Sequence, residues 1–139
     1  MFKNGGDETL TEIDIAYCFA VLNLDVAKLQ RTYLGIGEPG AGKGTMQLLW
    51  EKLVGEENIL STTLERWCNN RFEPARAWGK RLILFDDADK VKGDLQTYKS
   101  VTGGSRIPYE LKGKNTQQAN FLFTGMIGTF ANYDPFTLK

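Results

Sequence analysis

The chain has 139 residues, 42% hydrophobic and 24% charged, the size and balance of one globular domain rather than a disordered segment. Lys+Arg and Asp+Glu both number 17 and histidine is absent, which excludes Ser–His–Asp and Cys–His nucleophile systems, His-ligated zinc and an imidazole pH switch. The two distant cysteines, Cys18 and Cys68, cannot close a zinc site, and no apolar run approaches the ~20 residues that span a bilayer. The start, Met1–Gly6, lacks the pattern of a signal peptide, so the expected location is cytoplasmic (the host cytoplasm if the source is viral), without membrane association.

In chain order, Asp7 to Gln30 is predicted to be helical. Thr9 and Glu12 have the capping-box spacing, and Ile13, Tyr17, Ala20 and Leu24 recur at helical intervals. The acidic start, with Asp7, Glu8, Glu12 and Asp14, reads as a solvated first turn that suits the helix dipole. A β-type run, Thr32–Ile36, leads into a glycine-rich loop. The helix after it, Thr45–Val54, carries Met46, Leu49, Trp50 and Leu53 on one face and stops at Gly55. Asn58–Ser61 is a weak strand, and Thr62 with Glu65 opens a second capped helix to about Asn69. Arg81–Phe85 is a compact strand closed by Asp86-Asp87-Ala88-Asp89. Asp94 can cap a helix through Val101, which Gly103-Gly104 ends. Ile107–Leu111 and Asn120–Thr124 form the arms of a hairpin around Gly113–Thr116, and Gly125–Phe130 is the last strand, ending at Ala131-Asn132. This alternation predicts an α/β layered domain with a mostly parallel sheet. An N-terminal helical segment, 1–31, is expected to precede a core spanning 32–139.

The loop Gly37-Glu38-Pro39-Gly40-Ala41-Gly42-Lys43 has Walker A spacing and sits between a strand and a helix. Glycines let successive backbone N–H groups turn toward phosphate oxygens, the following helix offers its N-terminus, and Lys43 adds a mobile charge. Gly37, Glu38, Pro39, Gly40, Ala41, Gly42, Lys43, Gly44, Thr45 and Met46 are the expected nucleotide-binding residues, with ATP and Mg²⁺ as the implied ligands. Gly44 stands where Ser or Thr normally ligates magnesium. Either Thr45 supplies the hydroxyl after a small register change, or the metal is held through water; Thr45 is the candidate ligand.

Leu82-Ile83-Leu84-Phe85-Asp86-Asp87 is a Walker B pattern, a buried strand that carries two acids to the carboxyl edge of the sheet, where ligands of open α/β sheets gather. Asp86 is expected to hold the magnesium shell and Asp87 to polarise the attacking water. An aspartate at position 87, where a longer glutamate is usual, implies slow hydrolysis.

These motifs join others in a fixed order. Phe72-Glu73 through Asp87, then Tyr98-Lys99 through Thr102-Gly103-Gly104-Ser105-Arg106, then Glu110-Leu-Lys112-Gly-Lys114, then Gly125 through Asn132 and Asp134-Pro135, resemble superfamily 3 helicases of the phage and plasmid primase–helicase type. Ser105 replaces the usual aspartate after the two glycines. The resemblance covers roughly residues 32–135. It implies an AAA+-like P-loop NTPase with a β-hairpin inserted before the sensor strand, assembling as a homo-oligomeric ring, commonly a hexamer, around single-stranded DNA. Asn132 would sense the γ-phosphate and orient water, while Arg106, Lys112 and Lys114 would contact the DNA. No arginine follows Arg106, so the family's trans-acting arginine is absent from its usual place and the core is expected to be truncated before it.

Residues 90–114 carry six basic and two acidic side chains, which agrees with a phosphate-tracking hairpin. Tyr109 and the tryptophans Trp50, Trp67 and Trp78 read as packing residues. Two other functions fit the same loop. One is a small nucleotide kinase, since Lys-Gly-Thr resembles adenylate kinases, although about 30 residues precede the loop here and no Arg-rich lid is visible. The other is a nucleotide-dependent DNA-binding or assembly module without efficient turnover.

Overall fold

The structure is a computed structural model that describes residues 6–23, 25–86, 88, 94–111 and 119–136. Four strands, β1 (Tyr33–Ile36), β2 (Ile59–Thr63), β3 (Leu82–Asp86) and β6 (Met126–Ala131), form one parallel sheet in the order β1-β6-β3-β2. Two short strands, β4 (Ile107–Tyr109) and β5 (Ala119–Phe121), pair antiparallel in a separate sheet. The helices are α1 (Glu8–Ala20), α2 (Lys43–Val54), α3 (Leu64–Asn69) and α4 (Gln96–Thr102).

Side chains alternate across a strand, so the parallel sheet has two faces, and both are covered. Leu82 and Leu84 of β3 and Met126 and Phe130 of β6 pack with Met46, Trp50 and Val54 of α2 and with Val21 and Val26. Ile83, Phe85 and Ile127 point the other way, onto Leu64 and Trp67 of α3, Tyr98 and Val101 of α4, and Ile107 and Phe121 of the small sheet. This two-sided cover is why the β3 sequence is apolar without alternation. Gly128 permits the closest approach on the α2 side: a Cβ there would lie 2.6 Å from Trp50 Cζ3.

Several local expectations change. The first helix is capped by Asp7, whose carboxylate accepts the Leu10 N–H at 3.1 Å, not by Thr9. It ends near Ala20 rather than running to Gln30. The chain then turns, and a separate 3₁₀ segment, Val26–Leu29, buries Val26 and donates the Ala27 N–H to Thr124 O at 3.3 Å. Docking onto the sheet thus wins over continued helical periodicity. The buried face of α1 is also not the one expected. Ile13 is exposed while Asp14 is buried and accepts the Tyr33 hydroxyl at 2.7 Å, so Asp14 does not belong to a solvated turn.

Strand β2 runs to Thr63, and Thr63, not Thr62, caps α3 by accepting the Arg66 N–H at 3.2 Å. Thr62 is buried and donates its hydroxyl to Glu73 at 2.6 Å. Helix α2 begins at Lys43, two residues before the expected start. Among the described residues β4 and β5 are three residues each, shorter than the expected arms, and β5 stops at Phe121 before Phe123 enters the core. Trp50 and Trp67 are core residues, and Trp78 packs edge-on to Tyr109 with centroids 5.1 Å apart.

Candidate functional site

The β1–α2 loop is built by its glycines. Gly40 and Gly42 have φ of +86° and +90°, a region that L side chains rarely adopt. Gly42 is the residue from which α2 starts, and the Gly37 N–H donates to Ala131 O at 3.2 Å, tying the loop to the end of β6. The loop therefore arches over the carboxyl edge of the sheet and delivers the N-terminus of α2 there.

Strand parity brings the other groups to the same place. On β3, Asp86 shares a face with Leu82 and Leu84, the face that α2 covers. On β6, Asn132 follows the parity of Gly128 and Phe130. Because β6 lies between β1 and β3, Asn132 emerges between the lysine and the aspartate. Lys43 Nζ donates to Asn132 Oδ1 and to Glu38 O, both at 3.0 Å, and to Gly37 O. Asp86 accepts from Gln47 Nε2 at one oxygen and from Ser61 Oγ at 3.0 Å at the other. A cavity of about 320 Å³ is lined by Lys43, Gly44, Gln47, Asp86 and Asn132 together with Phe130 and Ala131.

Lys43, Asp86 and Asn132 are thus brought together. Thr45 is exposed and is not among the cavity-lining residues, whereas Gly44 is. Met46 is buried in the core beneath α2. Arg106 is exposed, just before β4 and away from the cavity. Asp87, Lys112 and Lys114 lie outside the described residues, as does most of the basic hairpin turn.

Gln47 and Ser61 were not singled out by sequence reasoning. Gln47 is four residues past Lys43 and so on the same helix face, a spacing that could have flagged it. Ser61 carried no comparable signal, because its role depends on β2 lying beside β3.

The donor set suits a hydrated magnesium ion. Magnesium keeps several waters and takes one or two carboxylates plus phosphate oxygens, and among the described residues the cavity offers the Asp86 carboxylate with the side-chain amides of Gln47 and Asn132.

A family model described as a family of unknown function, DUF5906, matches residues 36–136. The chain belongs to this family. The matched span of the DUF5906 domain holds the glycine-rich β1–α2 loop, the end of β3 and Asn132, so the whole cavity falls within it. No helix among the described residues is long and apolar enough to cross a membrane.

Proposed function

We propose that this DUF5906 domain is a P-loop NTPase core that binds and hydrolyses ATP with magnesium, and that it serves as the motor of a DNA helicase or translocase. One observation carries the nucleotide reading: Lys43, Asp86 and Asn132, remote in sequence, line one cavity at the carboxyl edge of a parallel sheet, beside a helix N-terminus and a loop with two left-handed glycines. That combination gives positive charge and inward N–H groups for phosphates, a carboxylate for the cation and an amide for the attacking water.

Lys43 turns from Asn132 to the outer phosphates. Asn132, released from the lysine, orients the water. Asp86 holds the cation shell, with its carboxylate fixed by Gln47 and Ser61. Magnesium, when bound, withdraws charge from the phosphates. The DNA part of the proposal rests on the resemblance of the ordered motifs and on the basic excess of residues 90–114. A homo-oligomeric ring around single-stranded DNA is the assembly that goes with it. With the shorter Asp87 where a glutamate is usual, turnover is expected to be slow.

The test is ATP turnover with and without single-stranded DNA. Slow turnover, stimulated by DNA and abolished by Lys43→Ala, is expected. Turnover indifferent to Lys43→Ala removes the phosphate-loop assignment. Transfer of phosphate to a nucleoside monophosphate would make the domain a nucleotide kinase instead.

A further inference from the structure

The residue after the loop lysine is where a P-loop usually places the hydroxyl that faces the cation, and here it is Gly44. Gly44 lies on the cavity wall, and a Cβ built on it would meet nothing within 4 Å, so the wall is open at that point. Thr45, one residue on, is exposed and is not among the cavity-lining residues.

Gln47 takes up the gap. It sits three residues past Gly44 and four past Lys43, on the turn of α2 that faces β3, and it lines the cavity. Its amide is bonded to Asp86 Oδ1, while Ser61 Oγ donates to Oδ2 at 3.0 Å. An ionised carboxylate only accepts, so Gln47 must offer it the NH₂ end, and the carbonyl oxygen of the same amide is left for another partner. One side chain therefore fixes the candidate cation-binding carboxylate and brings a second neutral oxygen to the same cavity.

We propose that Gln47 replaces the missing hydroxyl: it is the α2 residue that serves the divalent cation, positioning Asp86 through Nε2 and presenting Oε1 to the cation or to one of its waters. This rests on the nucleotide-binding reading above and names the residue that makes binding magnesium-dependent. A cation that keeps most of its waters needs no more than one carboxylate and one or two neutral oxygens from the protein.

The experiment measures binding of a fluorescent N-methylanthraniloyl ATP, with excess EDTA and across a magnesium titration. It uses the full chain and the variants Gln47→Leu, Gln47→Ala, Thr45→Ala and Lys43→Ala. The expected result is that both Gln47 variants raise the magnesium concentration needed for tight binding by ~10–100-fold, as loss of groups that orient a metal ligand does. Their affinity in EDTA stays that of the parent chain, and Thr45→Ala behaves as the parent in both conditions. A Gln47 pair with unchanged magnesium dependence, or a Thr45→Ala chain that loses it, overturns the inference. Unfolding of both Gln47 variants, read by circular dichroism, also overturns it, because it would make Gln47 a purely structural residue. Lys43→Ala separates the two levels. If it weakens binding in EDTA while the Gln47 variants change nothing, only the role of Gln47 falls. If it has no effect, or the parent chain binds no nucleotide, the nucleotide reading falls and this inference with it.

Discussion

Lys43 has three ammonium protons and three acceptors: the carbonyls of Gly37 and Glu38 and the side chain of Asn132. A phosphate oxygen that recruits this lysine must displace one of them, and the amide is the partner best able to turn. Asn132 is therefore linked to whatever Lys43 holds. Asn132→Ala is expected to leave nucleotide affinity within a few-fold of the parent and to cut turnover by about 10²-fold, the usual loss for one preorganised polar group. Binding and single-turnover measurements on the same preparations check this. Equal turnover in the two proteins would remove Asn132 from the chemistry.

At the scale of elements, the corner between β2 and α3 is held by a buried carboxylate. Glu73 is 2% exposed, accepts the Thr62 hydroxyl at 2.6 Å, pairs with Arg76 at 2.7 Å and lies 3.9 Å from Arg66. Both arginines are more than half exposed and can turn to water, so loss of the carboxylate does not strand two buried charges. Glu73→Ala is accordingly expected to destabilise the fold by about 1–3 kcal/mol, from the orphaned Thr62 hydroxyl and the lost charge-assisted bonds. Urea unfolding followed by tryptophan fluorescence measures it, and an unchanged midpoint would show that the corner does not depend on Glu73. This corner also marks what could be read without coordinates. The strand–loop–helix unit around Lys43 and the run Leu82–Asp86 were legible, because glycine spacing and unbroken apolar strands are local patterns. The partnership of Thr62 with Glu73, the burial of Asp14 against Tyr33, and the reach of Ser61 to Asp86 were not. Each is a polar contact between elements whose adjacency is set only by the tertiary fold, as when β2 takes its place beside β3. The break after Ala20 has the same origin: it follows from docking of Val26 on the sheet, not from a helix stop signal.

For the whole molecule, composition and burial together fix the response to pH. No histidine is present, so no imidazole couples stability to pH between about 6 and 8. Above that range the buried phenol of Tyr98 and the half-buried phenols of Tyr17 and Tyr33 act in concert. Burial pushes Tyr33 well up, and its bond to Asp14 pushes the same way. Burial also raises Tyr98, against the opposing bond from Thr129, and Tyr17, against the charge of Arg31. The Cys68 thiol is raised by burial as well. Below the unfolded phenol value near 10, both states hold the proton and these groups exert no pull. Above it the unfolded chain releases protons that the folded chain keeps. The unfolded state then binds fewer protons, and stability falls as pH rises, with solvent screening weakening the contribution of the half-buried Tyr17 and Tyr33. Urea midpoints are thus expected to be level between about pH 6 and 8, to start falling near pH 9 with Cys68, and to drop steeply above 10, together with the appearance of tyrosinate absorbance. Because three tyrosines contribute, Tyr33→Phe, which keeps the ring against Trp50 and Phe130 and removes only the hydroxyl, should make the alkaline fall shallower without abolishing it. Midpoints that rise above pH 10, or a Tyr33→Phe chain with the parent slope, would contradict this account of how the α1–β1 contact is held.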